Sequence, residues 1–242
     1  MTCWGIAARN EAQKVAIRAL LNDKPYAFLT GPAGSGKSLV AQAVGLERTV
    51  ERKDFAKLVY TRLQAQLGME IGHLPGDINE KTYPFVRPFL DNLEAMSPES
   101  KQVVQYLMTG GDKARVFFDP IQTMRGGSFH RAYIIVDEAQ NLDVGTIHAV
   151  ATRLATGSKM VFCGNFAQID TPKLRKPETN GLYRLLSGLY ERNAHEYFDH
   201  VNLTEVERHP AIAIVEDILR NHEMAPEFAE LEAMGSVGSV EV

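Results

Sequence analysis

The sequence predicts an α/β fold, a three-layer sandwich with a mainly parallel central sheet and helices on both faces. Three observations predict it. Short continuous apolar runs, Ala27–Leu29, Leu58–Tyr60 and Tyr133–Val136 among them, read as strands covered on both sides. Segments with apolar residues at helical spacing alternate with those runs. Glycine, carboxylate and amide residues follow the runs directly, at the strand ends where open α/β sheets gather their ligand chemistry.

A chain of 242 residues at 45% apolar content is long enough for one well-buried α/β domain or two small ones. Residues 1–234 are expected to form a single domain, with 235–242 as a glycine- and serine-containing tail. Net charge is −4 and the pI about 6.0, so nucleic-acid contact would need a local basic patch. The two cysteines, Cys3 and Cys163, have no metal-ligand spacing, which argues for a reducing compartment. No apolar stretch approaches the roughly 20 residues of a membrane span, and no secretory signal is visible. A soluble, cytoplasmic protein with no membrane contact is expected.

From Asn10 to Leu21, Ala12, Val15, Ala16, Ala19 and Leu20 recur at helical spacing, with Asn10 as N-cap and Asn22-Asp23-Lys24-Pro25 as the stop. The strand Ala27–Leu29 then leads into Gly31-Pro32-Ala33-Gly34-Ser35-Gly36-Lys37-Ser38, and a helix over Leu39–Leu46 follows. Two glycines spaced by four residues and followed by Lys-Ser match the phosphate-loop pattern. Glycines permit the backbone N–H groups to turn inward around an anion, and the helix adds its unpaired N-terminal donors. Lys37 would reach the β- and γ-phosphates and the Ser38 hydroxyl would ligate magnesium. A glycine-rich turn that merely opens a helix is the structural alternative.

Lys57–Thr61 reads as a second strand, with Arg62 at its C-terminal end either as a site cation or as a solvated loop arginine. The segment from Gly68 to Gly111 is a helical excursion, with turn signals at Leu74-Pro75-Gly76-Asp77 and helices expected at Phe85–Met96 and Glu99–Met108. Its Tyr83, Phe85, Arg87 and Phe89 suit a base-stacking surface or a local core. Val116–Phe118 resumes a strand, and Met124-Arg125-Gly126-Gly127 makes a turn carrying one arginine.

Tyr133–Val136 ends in Asp137-Glu138, and acids at the end of a central strand point to a cation. Asp137 would hold the magnesium, and Glu138 would polarise the attacking water as general base. The second acid points to hydrolysis rather than transfer to a substrate hydroxyl; an N-cap pair opening the helix after Asn141 is the plainer reading. Lys159–Gly164 is a further buried strand, and Gln168 beyond it suits sensing of a γ-phosphate without changing local charge. The loop Thr171–Gly181 holds Lys173, Arg175 and Lys176, the best local basic cluster. A helix at Leu182–Leu189, an edge strand at His195–Leu203 and a helix at Ala211–Asn221 complete the chain. His195, Glu196, Asp199 and His200 alternate between strand faces, so no metal site is expected there.

Taken together, Asn10-Glu-Ala-Gln13, the phosphate loop, Leu74-Pro-Gly-Asp with Glu80-Lys81 and Arg87-Pro88, Met124-Arg-Gly, Ile134-Ile-Val-Asp-Glu-Ala-Gln-Asn, Gln168-Ile-Asp and Arg208-His-Pro make a specific set. On these segments the chain resembles the PhoH-like ATPases from Asn10 to His222. The resemblance implies a RecA-like P-loop NTPase core, similar to one motor domain of superfamily 1 helicases, binding ATP and Mg2+ through Gly31–Leu39. It implies that the Gln168 strand lies between the phosphate-loop and Asp137 strands, and that Gln13 reads adenine. Relatives usually carry Gly-Asp where this chain has Gly164-Asn165. Nucleic-acid or nuclease modules attached to some members find no counterpart, so an ATPase core alone is expected. One core needs a complementing arginine from a neighbouring subunit, which implies a ring, a hexamer by resemblance, with Arg208 as the first candidate and Arg125 and Arg62 behind it; a role for Arg208 at its own γ-phosphate is the alternative. The leading function is an ATP hydrolase acting on RNA or single-stranded DNA. A slow nucleotide-gated assembly module is the alternative, and a small-molecule kinase is disfavoured by Glu138.

Overall fold

The computed structural model describes residues 2–63, 78–96, 102, 107–108, 114–121, 127–206, 211–218 and 223–235. Parallel strands β3 (Tyr26–Thr30), β4 (Lys57–Arg62), β5 (Val116–Phe118), β6 (Ala132–Asp137), β7 (Lys159–Cys163) and β8 (Phe198–Asn202) form one sheet in the order β5-β4-β6-β7-β3-β8. The Gln168 strand, β7, thus lies between the phosphate-loop strand and the Asp137 strand. A two-stranded antiparallel ribbon, β1 (Thr2–Cys3) and β2 (Ile6–Ala7), precedes the sheet.

Alternation along the strands separates two cores. Ala27, Leu29, Leu58, Tyr60, Tyr133, Ile135, Val161 and Cys163 face the helices α1 (Glu11–Leu21), α2 (Lys37–Leu46) and α3 (Ile78–Met96). Phe28, Val59, Ile134, Val136, Met160 and Phe162 face α4 (Val144–Ala151), α5 (Gly181–Glu191) and α7 (Pro226–Met234). Because side chains in a strand point to opposite faces with period two, continuous apolar runs fill both cores and three layers result. Helix α6 (Ala211–Ile218) lies between α5 and α7 in the chain and exposes Ile214, Val215 and Ile218.

The Asn10 side chain caps α1 by accepting from the Gln13 amide. The far end of that helix is held by two buried cations. Lys159 Nζ donates to the carbonyls of Ala19, Asn22 and Lys24 and to Asn22 Oδ1, and Arg48 donates to the carbonyls of Leu20 and Asn22. A helix leaves its last carbonyls without intrahelical partners, and these two side chains supply the donors. The result fixes α1, and Gln13 with it, against the sheet.

Helix α3 begins at Ile78, seven residues before the expected Phe85, and runs through Pro84 and Pro88. Its packing outweighs the loss of proline N–H donors. Phe89 is fully buried, 5.2 Å from the Tyr60 ring and 5.0 Å from the Phe118 ring. The base-stacking reading fails for Phe89, which is core; the side chains of Tyr83 and Phe85 lie outside the described residues, and Arg87 is exposed beside Asp91. Of the expected helix Glu99–Met108, residues 102, 107 and 108 are described, and they are helical. Helix α7 was not anticipated. Gly235, assigned to the tail, is buried and accepts from the Asn202 amide. Among the described residues no helix is long and apolar enough to cross a membrane.

Phe89→Ala should lower the free energy of unfolding by about 3–5 kcal/mol, the usual cost of truncating a buried aromatic ring. Urea denaturation followed by far-UV circular dichroism checks this.

Candidate active site

The loops leaving the C-terminal ends of β3, β4, β6 and β7 border a crevice of about 800 Å³. The first of them is the phosphate loop. Gly31 has φ +124°, and a Cβ there would lie 2.2 Å from the Leu203 carbonyl oxygen, so the close approach of the chain leaving β8 requires glycine. Gly36 has φ +90° and caps α2 without any side-chain hydrogen bond. The first N–H groups of α2 are therefore left for a ligand, in the arrangement that binds anions.

Lys37 Nζ donates to the carbonyls of Gly31 at 2.8 Å and Pro32 at 2.7 Å, within its own loop. Burial pulls its pKa below the usual lysine value, while the nearby Glu138 and Asp137 charges oppose the shift. Two neutral carbonyls are exchangeable partners for an ammonium, whereas phosphate oxygens would offer it opposite charge.

Asp137, the last residue of β6, is buried. Its Oδ1 accepts from Ser38 Oγ at 2.7 Å and from the Glu138 amide at 3.1 Å, and its Oδ2 accepts from the Tyr60 hydroxyl at 2.8 Å. Burial, and then the Asp137 charge, raises the Tyr60 pKa well above its usual value, so the phenol stays a donor. The guanidinium of Arg62 lies beside the same hydroxyl, and its strand pairs Arg62 with Asp137. Ser38 and Asp137 are hard oxygen donors brought into contact, which suits Mg2+, an ion held by one or two protein oxygens together with phosphate and water. Among the described residues no group of three His, Cys, Asp or Glu side chains could form an all-protein cage.

Glu138 adopts a left-handed backbone with φ +53°, which ends β6 and turns the next residues back. The fully buried Gln140 donates to Glu138 Oε2 at 2.6 Å and to the Gln168 carbonyl at 3.1 Å, and its Oε1 accepts from the Asn165 amide at 3.1 Å. One amide thus joins the expected base to the segment bearing the expected sensor. Asn165 turns its own Oδ1 to the Ala167 amide at 3.1 Å, a bond that needs an oxygen and no charge. Asn141 and Asp170 form a reciprocal pair, and Asn180 donates to the Gln140 carbonyl. Tyr60, Gln140 and Asn180 carry the site's internal geometry, yet residue type and spacing gave no signal for them.

Of the expected site residues, Ala33, Gly34, Gly36, Lys37, Ser38, Leu39, Arg62, Asp137, Glu138, Gln168 and Gln13 line the crevice. Gly31, Pro32 and Ser35 frame the loop behind it, and Ser35 is fully buried. Gln13 Oε1 accepts from the Arg9 amide at 2.9 Å and Nε2 donates to the Ser35 carbonyl at 3.0 Å, so it braces the phosphate loop. Arg125 and Arg208 lie outside the described residues. Asp91 and Asn92 of α3 close the opposite side, where Asn92 and the Phe89 carbonyl grip the two ends of the Gln42 amide.

Under the loop, His200 Nε2 is 2.9 Å from Thr30 Oγ1 and Nδ1 is 3.0 Å from the Tyr190 hydroxyl. Burial pushes this imidazole down to about 3.

A family model described as "PhoH-like protein" matches residues 5–220. Protein PhoH2 of Thermobispora bispora is 33% identical over 220 residues, covering 90% of this chain and 48% of that protein. Protein PhoH2 of Bacillus subtilis is 38% identical over 173 residues, covering 71% and 39% respectively. The chain spans about half the length of these relatives or less. Among solved structures, Pif1 helicase from Candida albicans aligns with TM-score 0.44 and 14% identity, covering 93% of this chain and 47% of that one. The Sulfolobus solfataricus SWI2/SNF2 ATPase core, solved in complex with dsDNA, aligns with TM-score 0.45 and 14% identity, covering 98% and 46%.

His200 stays neutral in the fold below its unfolded value of about 6.5, so its contribution to stability is present above that pH and is lost as pH falls toward 3. The stability difference between the wild type and His200→Gln should change by about 1.4 kcal/mol per pH unit through that window. Urea unfolding of both proteins at pH 7.5, 6, 5 and 4 checks it, since the other histidines cancel.

Proposed function

The chain belongs to the PhoH-like protein family, and on that premise we propose that its crevice binds ATP with Mg2+ and hydrolyses the γ-phosphate. The observation that carries this reading is the 2.7 Å bond between Ser38 and Asp137, which joins the mouth of the phosphate loop to an acid at the end of the central strand. The triphosphate tail takes the open N–H groups of α2, and Lys37 exchanges the Gly31 and Pro32 carbonyls for phosphate oxygens. Ser38 and Asp137 would hold Mg2+, which neutralises charge on the β- and γ-phosphates. Glu138 accepts a proton from the attacking water, and Gln140 keeps its carboxylate aimed at the crevice. Gln168, at the rim, senses the γ-phosphate and its water.

Charge developing on the γ-phosphate calls for an arginine, and Arg208 of a neighbouring copy is our first candidate, ahead of Arg125 and Arg62. The exposed apolar residues Ile214, Val215 and Ile218 on α6, shortly after Arg208, support self-association into a closed ring, which we take as a hexamer. Single-stranded nucleic acid, RNA first, is the proposed partner. That part rests on the motor-core resemblance and on the exposed Lys173 and Lys176.

Lys37→Ala should abolish ATP turnover, and Glu138→Gln should lower kcat by about 10²–10⁴ while leaving ATP affinity near wild type. Phosphate release with and without single-stranded RNA or DNA measures both; wild-type turnover untouched by Glu138→Gln would remove the general base assigned here.

Arg208→Ala should lower kcat by about 10³ or more with little change in affinity. Mixed with Lys37→Ala chains, it should regain turnover if the arginine acts between subunits. No recovery at any mixing ratio would return Arg208 to its own site.

A further inference from the structure

Thr30, the last residue of β3, is buried at the root of the phosphate loop, and its carbonyl accepts from the Leu203 amide at 2.9 Å. The next peptide, Gly31, is pressed against the Leu203 carbonyl and Asn202 Oδ1. From the Thr30 hydroxyl a string of polar contacts leads away from the crevice. Thr30 Oγ1 lies 3.3 Å from Asn202 Oδ1 and 2.9 Å from His200 Nε2. His200 Nδ1 lies 3.0 Å from the Tyr190 hydroxyl, which is itself 3.3 Å from the Met234 carbonyl at the end of α7.

The supply of hydrogens decides how this string is polarised. Burial keeps the imidazole neutral, pushing it down to about 3, and burial with the Asp199 charge pushes the Tyr190 phenol up to about 12. Two hydroxyls and a neutral imidazole bring one hydrogen each, three in all, to four contacts. One contact must go without. With the imidazole hydrogen on Nδ1, Tyr190 donates to Met234, Thr30 donates to Nε2, and Asn202 Oδ1 loses its Thr30 donor. With the hydrogen on Nε2, Tyr190 donates to Nδ1, Thr30 donates to Asn202, and the Met234 contact is the one left unmade. The Met234 contact is exposed, so water replaces it at little cost, whereas the Asn202 contact is buried and an acceptor stripped of its donor there costs more.

We propose that His200 is a positioning residue of the phosphate loop: as the Nε2–H tautomer it donates to Thr30, turns the Thr30 hydroxyl onto Asn202 Oδ1, and so fixes the side chain against which Gly31 packs. The role in turnover rests on the ATP-hydrolysis reading given above. The polarity of the string does not. Gly31, at φ +124°, has no side chain to restrain its own peptide, so its conformation is set by what it packs against. Helix α7 closes the arrangement from beneath: the Gly235 carbonyl accepts from the Asn202 amide at 2.7 Å, and a Cβ on Gly235 would fall 2.5 Å from the His200 ring. Ground-state binding depends mainly on the open helix N-terminus, so loss of the string should lower kcat more than it changes KM.

The tautomer is read from two-bond 1H–15N NMR spectra of the imidazoles in the full chain at pH 7.5, with His200 assigned by the signals that His200→Gln removes. Its Nε2 should be pyrrole-like and its Nδ1 pyridine-like. Hydrogen exchange of the Leu203 amide, which needs no nucleotide, then reports on the loop root. Thr30→Val removes the hydroxyl with little change of shape, and His200→Asn has too short a side chain to reach Thr30. Each should speed that exchange about three- to tenfold, the size of one hydrogen bond. His200→Gln, which presents an amide donor near the place of Nε2, should stay within about twofold of wild type. Turnover should follow the same order: Thr30→Val and His200→Asn each lower kcat for ATP about three- to tenfold with KM changed less than about threefold, and together they cost little more than one alone.

A His200 with a pyrrole-like Nδ1 overturns the proposal whatever the activity. So does a Leu203 amide that exchanges at the wild-type rate in Thr30→Val, or a double variant whose two effects on exchange multiply. Should His200→Asn fail to fold, the wild-type spectrum and Thr30→Val still decide. A wild type that gives the expected tautomer and exchange but hydrolyses no ATP removes the catalytic reading and leaves the positioning of the loop root standing. Wild-type kcat in Thr30→Val, in a chain that does hydrolyse ATP, ends the role in turnover.

Discussion

A carboxylate at the end of a central strand cannot be buried alone, and the partners of Asp137 organise the rest of the site. Hydrogen bonds to an ionised group contribute about 1.5–3 kcal/mol each, against a desolvation cost of several kcal/mol for an ion left without them. Both Asp137 oxygens are engaged, Oδ1 by Ser38 and the Glu138 amide and Oδ2 by Tyr60. Those donors come from the first turn of α2, the exit of β6 and the middle of β4. One buried acid therefore ties the phosphate loop to the two strands that flank the crevice. Loss of the Ser38 bond would loosen that knot only at its open side, because Tyr60 holds the other oxygen.

The same logic of mutual satisfaction extends outward through side-chain amides. Glu138 sits in a left-handed conformation that costs a residue with a side chain about 1–3 kcal/mol, and Gln140 offsets part of that by holding its carboxylate. Gln140 is held in turn by Asn165 and the Gln168 carbonyl. An amide can donate and accept at once, so it can link a charged group to backbone without adding a charge. Such a chain makes the geometry of Glu138 depend on the geometry of the Gln168 segment. Asn165 fits within it because its Oδ1 serves a turn of its own, a task an aspartate would also perform.

The opposite end of the sheet is stabilised by cations rather than amides. Lys159 and Arg48 converge on the carbonyls that end α1, and desolvation brings the Lys159 pKa down to about 7. Both act far from the crevice, yet they set where Gln13 meets the phosphate loop. That glutamine bridges Arg9 and Ser35 and leaves no room for a Cβ at Gly36.

Much of this was legible in the chain itself. Continuous apolar runs identified the buried parallel strands, helical spacing and Asn10 identified α1, and Gly31 to Ser38 announced the phosphate loop. Each of these is a property of one element, expressed in its own periodicity or in the backbone freedom of its own glycines. Partnerships between elements are of another kind. Tyr60 and Ser38 reach Asp137 from 77 and 99 residues away, and nothing in their spacing predicts the meeting. The burial of Phe89, the passage of α3 through two prolines and the seating of α7 against His200 likewise depend on strand order and packing depth. Local pattern determined which pieces form; only the closing of the sheet decided which side chains would share a partner, because contact across a fold follows register and distance in space rather than separation along the chain.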